Sequence, residues 1–131
     1  MTDVSERIAE LSARAGSDYE KFEPPPDPPD EKRALEYLTD GVGDAVALYI
    51  EARTGEKYRF DDAEFALLER AFNDWLELYA ACYGVDLEAT FTVREAAELL
   101  VETHSIRETA LLLTHVPKRD HTQAWAEDEQ K

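Results

Sequence analysis

The sequence contains few of the residues from which many structural and catalytic sites are made. Its one cysteine, Cys82, excludes an intramolecular disulfide and a cysteine-rich zinc site. Only five glycines are present, and the chain has neither a Walker phosphate loop nor a Gly-x-Gly-x-x-Gly dinucleotide motif. The His-Glu-x-x-His and Gly-x-Ser-x-Gly motifs are also missing. We therefore predict a non-enzymatic protein without a cofactor or a metal.

Long apolar runs are missing as well. A membrane span needs about 18 or more consecutive apolar residues, and no stretch of the chain approaches that length. Residues 1–10 carry two acids within the first six positions, whereas a secretory signal has a basic start and an apolar run. These features predict a cytoplasmic protein. The hydrophobic share of 44% is nevertheless enough for a folded core.

Cations are scarce relative to acids. The chain has 30 Asp and Glu residues against 14 Lys and Arg, which gives a formal net charge of −16. Such a charge repels anionic membranes and nucleic acid at ordinary salt concentrations. The acids are spread along the chain, and arginine outnumbers lysine nine to five. In composition and general layout the chain resembles small, uncharacterised acidic proteins of halophilic archaea; an ordinary acidic mesophilic protein is the alternative.

Apolar residues recur at helical spacing along most of the chain, which predicts an all-α fold. We expect a compact bundle of five to six helices around one long central helix, in a single domain over residues 1–131. Gly16 and Gly41 are expected to end the first two helices, and Leu35 and Leu38 of the second to face inward. The predicted ranges are 4–15, 28–39, 42–53, 62–83, Val93–Thr103 and 106–115, followed by a short helix near 120–125 and a polar, frayed tail at 126–131.

Proline is concentrated in one segment. Five of the six prolines lie within residues 24–29. We expect residues 17–29 to form a stiff polyproline II strap between two helices, with the proline-rich part about 19 Å long. Tyr19 and Phe22 would attach this strap to the core. The alternative is that the strap is a ligand for an aromatic groove in another protein.

Four groups of residues stand out, three of them as candidates for chemistry, and each has a structural explanation. His104, His115 and His121 are close enough in sequence to share a metal, but His104 and His115 fall at predicted helix C-termini, where histidine is electrostatically favoured. Cys82 lies on the predicted inner face of the central helix, which favours a core thiol. Three adjacent leucines at 111–113 predict a helix buried on more than one side. An aromatic stripe is interpreted as core in preference to a pocket wall: Phe72, Trp75, Tyr79 and Tyr83.

One stretch departs from the acidic background. Residues 103–125 carry a net charge of +1, whereas residues 1–102 carry −15. Residues 105–125 loosely resemble a helix-turn-helix unit, with Ala110 at the helix crossing. This resemblance implies a DNA-binding transcription regulator whose phosphate contacts would be Arg107, Lys118 and Arg119. Our first hypothesis is instead a helical scaffold that binds a protein partner or a second copy of itself.

The halophile hypothesis predicts a strong dependence of stability on salt. Because molar salt shortens the Debye length to about 3 Å, it screens the repulsion among the excess carboxylates. We expect the thermal unfolding midpoint to rise steeply between dilute and molar KCl. A midpoint that stays flat or falls across that range would contradict the hypothesis.

Overall fold

Helices account for the regular structure in the computed structural model, which describes residues 3–55 and 58–117. No strand occurs in these residues, so the prediction of an all-α bundle with five to six helices is confirmed. The predicted helix near 120–125 and the tail at 126–131 lie outside the described residues, and the single-domain bounds stay a prediction. The helices are α1 (Val4–Lys21), α2 (Glu31–Tyr37), α3 (Gly43–Thr54), α4 (Asp62–Ala81), α5 (Val93–Thr103) and α6 (Ile106–Thr114), and a π-helical turn, Leu38–Val42, joins α2 to α3.

Helix α4 is the central element, since it contacts each of the other five helices and the π turn. Its first turn is fixed by a capping box. The Asp61 carboxylate accepts from the Glu64 backbone N–H at 2.8 Å, and the Glu64 carboxylate accepts from the Asp61 N–H at 3.1 Å. The rings of Phe60 and Phe65 on either side of this box lie 5.8 Å apart, which is the contact that a hydrophobic staple makes.

The indole of Trp75 on α4 lies at the junction of α1, α4 and the π turn. Trp75 is 1% exposed, and its Nε1–H donates to the Asp18 carboxylate on α1 at 2.9 Å. The Arg14 guanidinium, also on α1, lies 5.1 Å from the centre of the indole. The backbone of Gly41 in the π turn approaches the same ring so closely that an added Cβ would lie 2.5 Å from its carbons. One side chain therefore fixes how three elements meet.

Two glycines do not end helices as predicted. Gly16 lies inside α1, which continues to Lys21 and thereby brings Asp18 to Trp75. Gly41 lies in the π turn, and helical backbone continues through it from α2 into α3. Glycine does not always end a helix. At Gly41 it allows the close approach of the Trp75 ring, whereas at Gly16 no group approaches and the helix continues through the glycine.

The proline strap is shorter than predicted because α1 extends into it. It begins at Phe22, and the chain bends at residues 26–28, so the segment is not a straight polyproline II rod. Phe22 attaches it to the bundle, with the Arg33 guanidinium 4.5 Å from its ring centre. Tyr19, the other predicted attachment, belongs to α1 and is 47% exposed, so this part of the prediction was wrong. Asp30 caps α2, and its backbone N–H donates to the Cys82 carbonyl at 2.8 Å.

Helix α6 is buried on one side only. Leu113 faces the core, whereas Leu111 and Leu112 are 40% and 50% exposed, so the prediction of a helix buried on more than one side was wrong. Successive residues on a helix differ by about 100° in direction, and within the described residues α6 makes its main contacts with α5, the π turn and α4. Leu35 on α2, also predicted to face inward, is 41% exposed.

Replacing Gly41 with alanine tests whether the close approach of the Trp75 ring requires a glycine here. Helix propensity acts in the opposite direction, because alanine is the better helix former. The new methyl group would overlap the rigid Trp75 indole, so we expect Gly41→Ala to lower the free energy of unfolding by about 1–3 kcal/mol. Gly16→Ala is the matched control: Gly16 is also helical, and no heavy atom lies within 4 Å of its added Cβ. That control should raise the free energy of unfolding by about 0.5–1 kcal/mol.

Urea denaturation followed by circular dichroism measures both changes. A Gly41→Ala variant as stable as the parent protein would show that the indole does not require this glycine.

Candidate functional site

The exposed leucines of α2 and α6 border a groove that ends at the C-terminal part of α4. Its volume is about 810 Å³. Leu35 comes from α2 and Leu111 from α6, and both line the groove although each is about 40% exposed. Apolar side chains exposed within a concave surface are typical of a contact surface, in contrast to isolated surface leucines, which are common on any protein.

Two tyrosines of α4 line the same groove. The rings of Tyr79 and Tyr83 meet edge to face with their centres 5.5 Å apart. Tyr79 is buried, and its hydroxyl donates to the Val116 carbonyl at 2.6 Å. Burial raises the pKa of both phenols, so they stay neutral at physiological pH. Tyr83 is half-buried and presents part of its ring to the groove.

The described residues that line the groove carry balanced charges, unlike the chain as a whole. Lys32 and Arg107 supply two cations, and Glu31 and Glu108 supply two anions. All four residues are exposed. The chain as a whole carries a net charge of −16, so an acidic partner meets less repulsion at this groove than an average part of the surface would give.

The histidines at residues 104 and 115 terminate helices, as predicted. Each has a left-handed backbone conformation, with φ of 58° at His104 and 59° at His115. Their backbone N–H groups donate to the Leu100 and Leu111 carbonyls at 2.8 Å. His121 lies outside the described residues, within which no group of three or more His, Cys, Asp or Glu side chains is placed to hold a metal.

Cys82 and most of the aromatic stripe belong to the core. The Cys82 side chain is fully buried, and burial raises the pKa of its thiol to about 11, so the thiol stays protonated at neutral pH and is a poor nucleophile. Phe72, Trp75 and Tyr79 are buried, which confirms the core interpretation for three members of the stripe. The fourth, Tyr83, lines the groove.

Only one of the three cations of the helix-turn-helix hypothesis lies within the described residues. Arg107 is exposed and lines the groove, whereas Lys118, Arg119 and the rest of the proposed recognition helix at 118–125 lie outside the described residues. Ala110, the residue expected at a helix crossing, is fully buried. The structure therefore leaves the regulator hypothesis as a prediction.

Sequence reasoning missed the groove because it assigned its leucines to the core. A signal was present: residues 111–113 are all leucine, and three successive helical positions cannot all face one packing surface. The position of the groove could not be found this way, because it depends on where α2 lies relative to α6 in the folded chain.

None of the helices in the described residues combines the length and the apolar character that crossing a bilayer requires.

Comparison with known proteins places the chain in a family without assigning it an activity. The family model described as "Domain of unknown function (DUF8055)" matches residues 2–118, which is most of the sequence. Neither a curated protein nor a solved structure matches the chain. The family match covers the described helices and the groove between α2 and α6. The chain belongs to the DUF8055 family, a domain of unknown function.

Proposed function

We propose that the protein is a non-enzymatic helical scaffold that associates with a second copy of itself through the groove between α2 and α6. The observation that carries this proposal is the exposure of Leu35 and Leu111 in one concave surface. Burying apolar surface stabilises an interface by about 25 cal/mol per Å² before the costs of association are included. Leu112, the next residue on α6, is also exposed, at 50%.

The charges around the groove favour a second copy as the occupant. In a twofold dimer the same surface contacts itself, so a self-complementary patch needs charges of both signs. Lys32 and Arg107 of one protomer can face Glu31 and Glu108 of its partner. Two chains that each carry −16 repel one another strongly elsewhere, which makes this neutral groove a favourable meeting surface.

The proposed setting is the cytoplasm of a salt-accumulating cell. The dispersed acidic residues support this setting, and molar salt would screen the long-range repulsion between protomers. Apolar contacts between leucines are not weakened by screening. Such an interface would therefore be favoured under the conditions that the composition indicates.

The DNA-binding alternative and the dimer place Arg107 in different contacts. A regulator needs that guanidinium on a phosphate, together with Lys118 and Arg119. The proposed dimer instead covers Arg107 within the interface. The support for the regulator is the local net charge of +1 over residues 103–125, whereas the dimer is supported by both leucines and all four charged groups at the groove.

Light scattering coupled to size-exclusion chromatography in molar KCl tests self-association. We expect the parent protein to be a dimer and Leu111→Asp to be a monomer, because a buried, unpaired carboxylate opposes association. Leu67→Asp is the matched control, since Leu67 on α4 is 44% exposed and does not line the groove. It should leave the dimer intact.

A monomeric parent protein at high concentration would refute the dimer. If Leu67→Asp dissociated the dimer and Leu111→Asp did not, the interface would lie outside the groove. Circular dichroism of each variant shows whether the helices are retained.

A further inference from the structure

A second cavity lies where the end of α3, the segment before α4 and the start of α5 meet. Its volume is about 810 Å³, and it shares no lining residue with the groove between α2 and α6. A volume of this size lies within the range of about 300–1,000 Å³ found for small-molecule sites. The self-association proposed above does not use this cavity.

Three arginines line the second cavity, although the chain is strongly acidic overall. They are Arg53 of α3, Arg59 of the segment between α3 and α4, and Arg94 of α5. Only nine arginines occur in the whole sequence. Guanidinium groups that share a cavity repel one another, and an anion bound between them removes that repulsion.

Two of these arginines have no carboxylate partner among the described residues. Arg94 lies 3.6 Å from Glu98, but both side chains are largely exposed, so this ion pair contributes little. Neither Arg53 nor Arg59 has a described carboxylate oxygen within 4.0 Å. Arg53 makes a long hydrogen bond of 3.4 Å to the Tyr49 hydroxyl, which leaves most of its donors available.

The carboxylates that line the cavity neutralise the arginines only in part. Glu69 uses one carboxylate oxygen to accept from the Val93 backbone N–H at 3.1 Å, at the start of α5. Asp62, the other acid, is exposed in the first turn of α4. The described lining therefore holds three cations and two anions, in a chain whose acids outnumber its bases by about two to one.

An aromatic cluster forms another part of the same cavity. Phe60 stacks on Tyr49 with ring centres 5.9 Å apart and an interplanar angle of 10°. Tyr58 and Phe65 contact Phe60 with centres 5.3 and 5.8 Å away. Tyr58, Phe60 and Phe65 are partly exposed, whereas Tyr49 is buried. The mutual packing holds these rings in place, and their accessible parts can contact another flat ring.

We propose that this cavity binds a small anion that carries a planar ring, of the chemical type of a nucleoside monophosphate. The guanidinium groups of Arg53, Arg59 and Arg94 hold the anionic group through charge-assisted hydrogen bonds. The partly exposed rings of Tyr58, Phe60 and Phe65 contact the planar ring. An inorganic anion would leave these rings uncovered, and a neutral ring would leave the arginines without a counter-charge.

Isothermal titration calorimetry on the full chain, at the KCl concentration of greatest stability, tests the site. The ring-bearing anions are adenosine monophosphate and phenyl phosphate; adenosine supplies a neutral ring and inorganic phosphate an anion without a ring. We expect at least one ring-bearing anion to bind with a dissociation constant below about 1 mM. Its affinity should be about tenfold above those of adenosine and phosphate.

Substitution of the arginines tests whether the anion binds in the second cavity. Arg53→Gln and Arg59→Gln should each weaken binding by roughly tenfold, because each removes a charge-assisted hydrogen bond. Arg70→Gln is the matched control, since Arg70 is an exposed arginine of α4 that does not line the cavity. It should bind like the parent protein. All three substituted positions are exposed, and thermal unfolding confirms that each variant is folded.

Three results would overturn the proposal. The first is the absence of binding by both ring-bearing anions at about 1 mM. The second is inorganic phosphate binding as tightly as the ring-bearing anions, which would show that the rings contribute nothing. The third is equal weakening by Arg70→Gln, which would show a general charge effect in place of a site.

Discussion

The buried indole of Trp75 joins three parts of the chain that are far apart in sequence. Its Nε1–H donates to Asp18 at 2.9 Å and thereby fixes the end of α1 on α4. The backbone of Gly41 packs against the same ring, which places the π turn and the two helices that it connects. An indole N–H buried without an acceptor would cost about 1–3 kcal/mol, so the carboxylate of Asp18 is a requirement of this arrangement.

Both surfaces to which we assign binding depend on this junction. The π turn sets where α2 lies, and α2 supplies Leu35 to the groove beside α6. The same turn leads into α3, whose last turn carries Arg53 to the second cavity. In each place the local charge is far less negative than the composition of the chain suggests. Among the described residues, the excess of acids over bases therefore lies outside these two concave regions.

Local signals in the sequence predicted the helices well, and contacts distant in sequence account for what they missed. The sequence predicted that α4 begins at residue 62, and the cap that fixes this start joins Asp61 and Glu64, which are only three residues apart. The part of α1 past Gly16 makes a hydrogen bond with Trp75 through Asp18, and these two residues are 57 positions apart. The groove and the second cavity likewise combine residues from separate helices. Periodicity shows which side of a helix is apolar, but it does not show whether another helix covers that side.

Hydrogen exchange of the Trp75 indole N–H, measured by NMR, tests the central role of this side chain most directly. Substitution of Trp125, the other tryptophan, with phenylalanine leaves a single indole signal to follow. Our account predicts that this proton exchanges as slowly as the best-protected backbone amides of α4, because its exposure requires global unfolding. Exchange of the indole proton within minutes, while those amides remain protected, would contradict it.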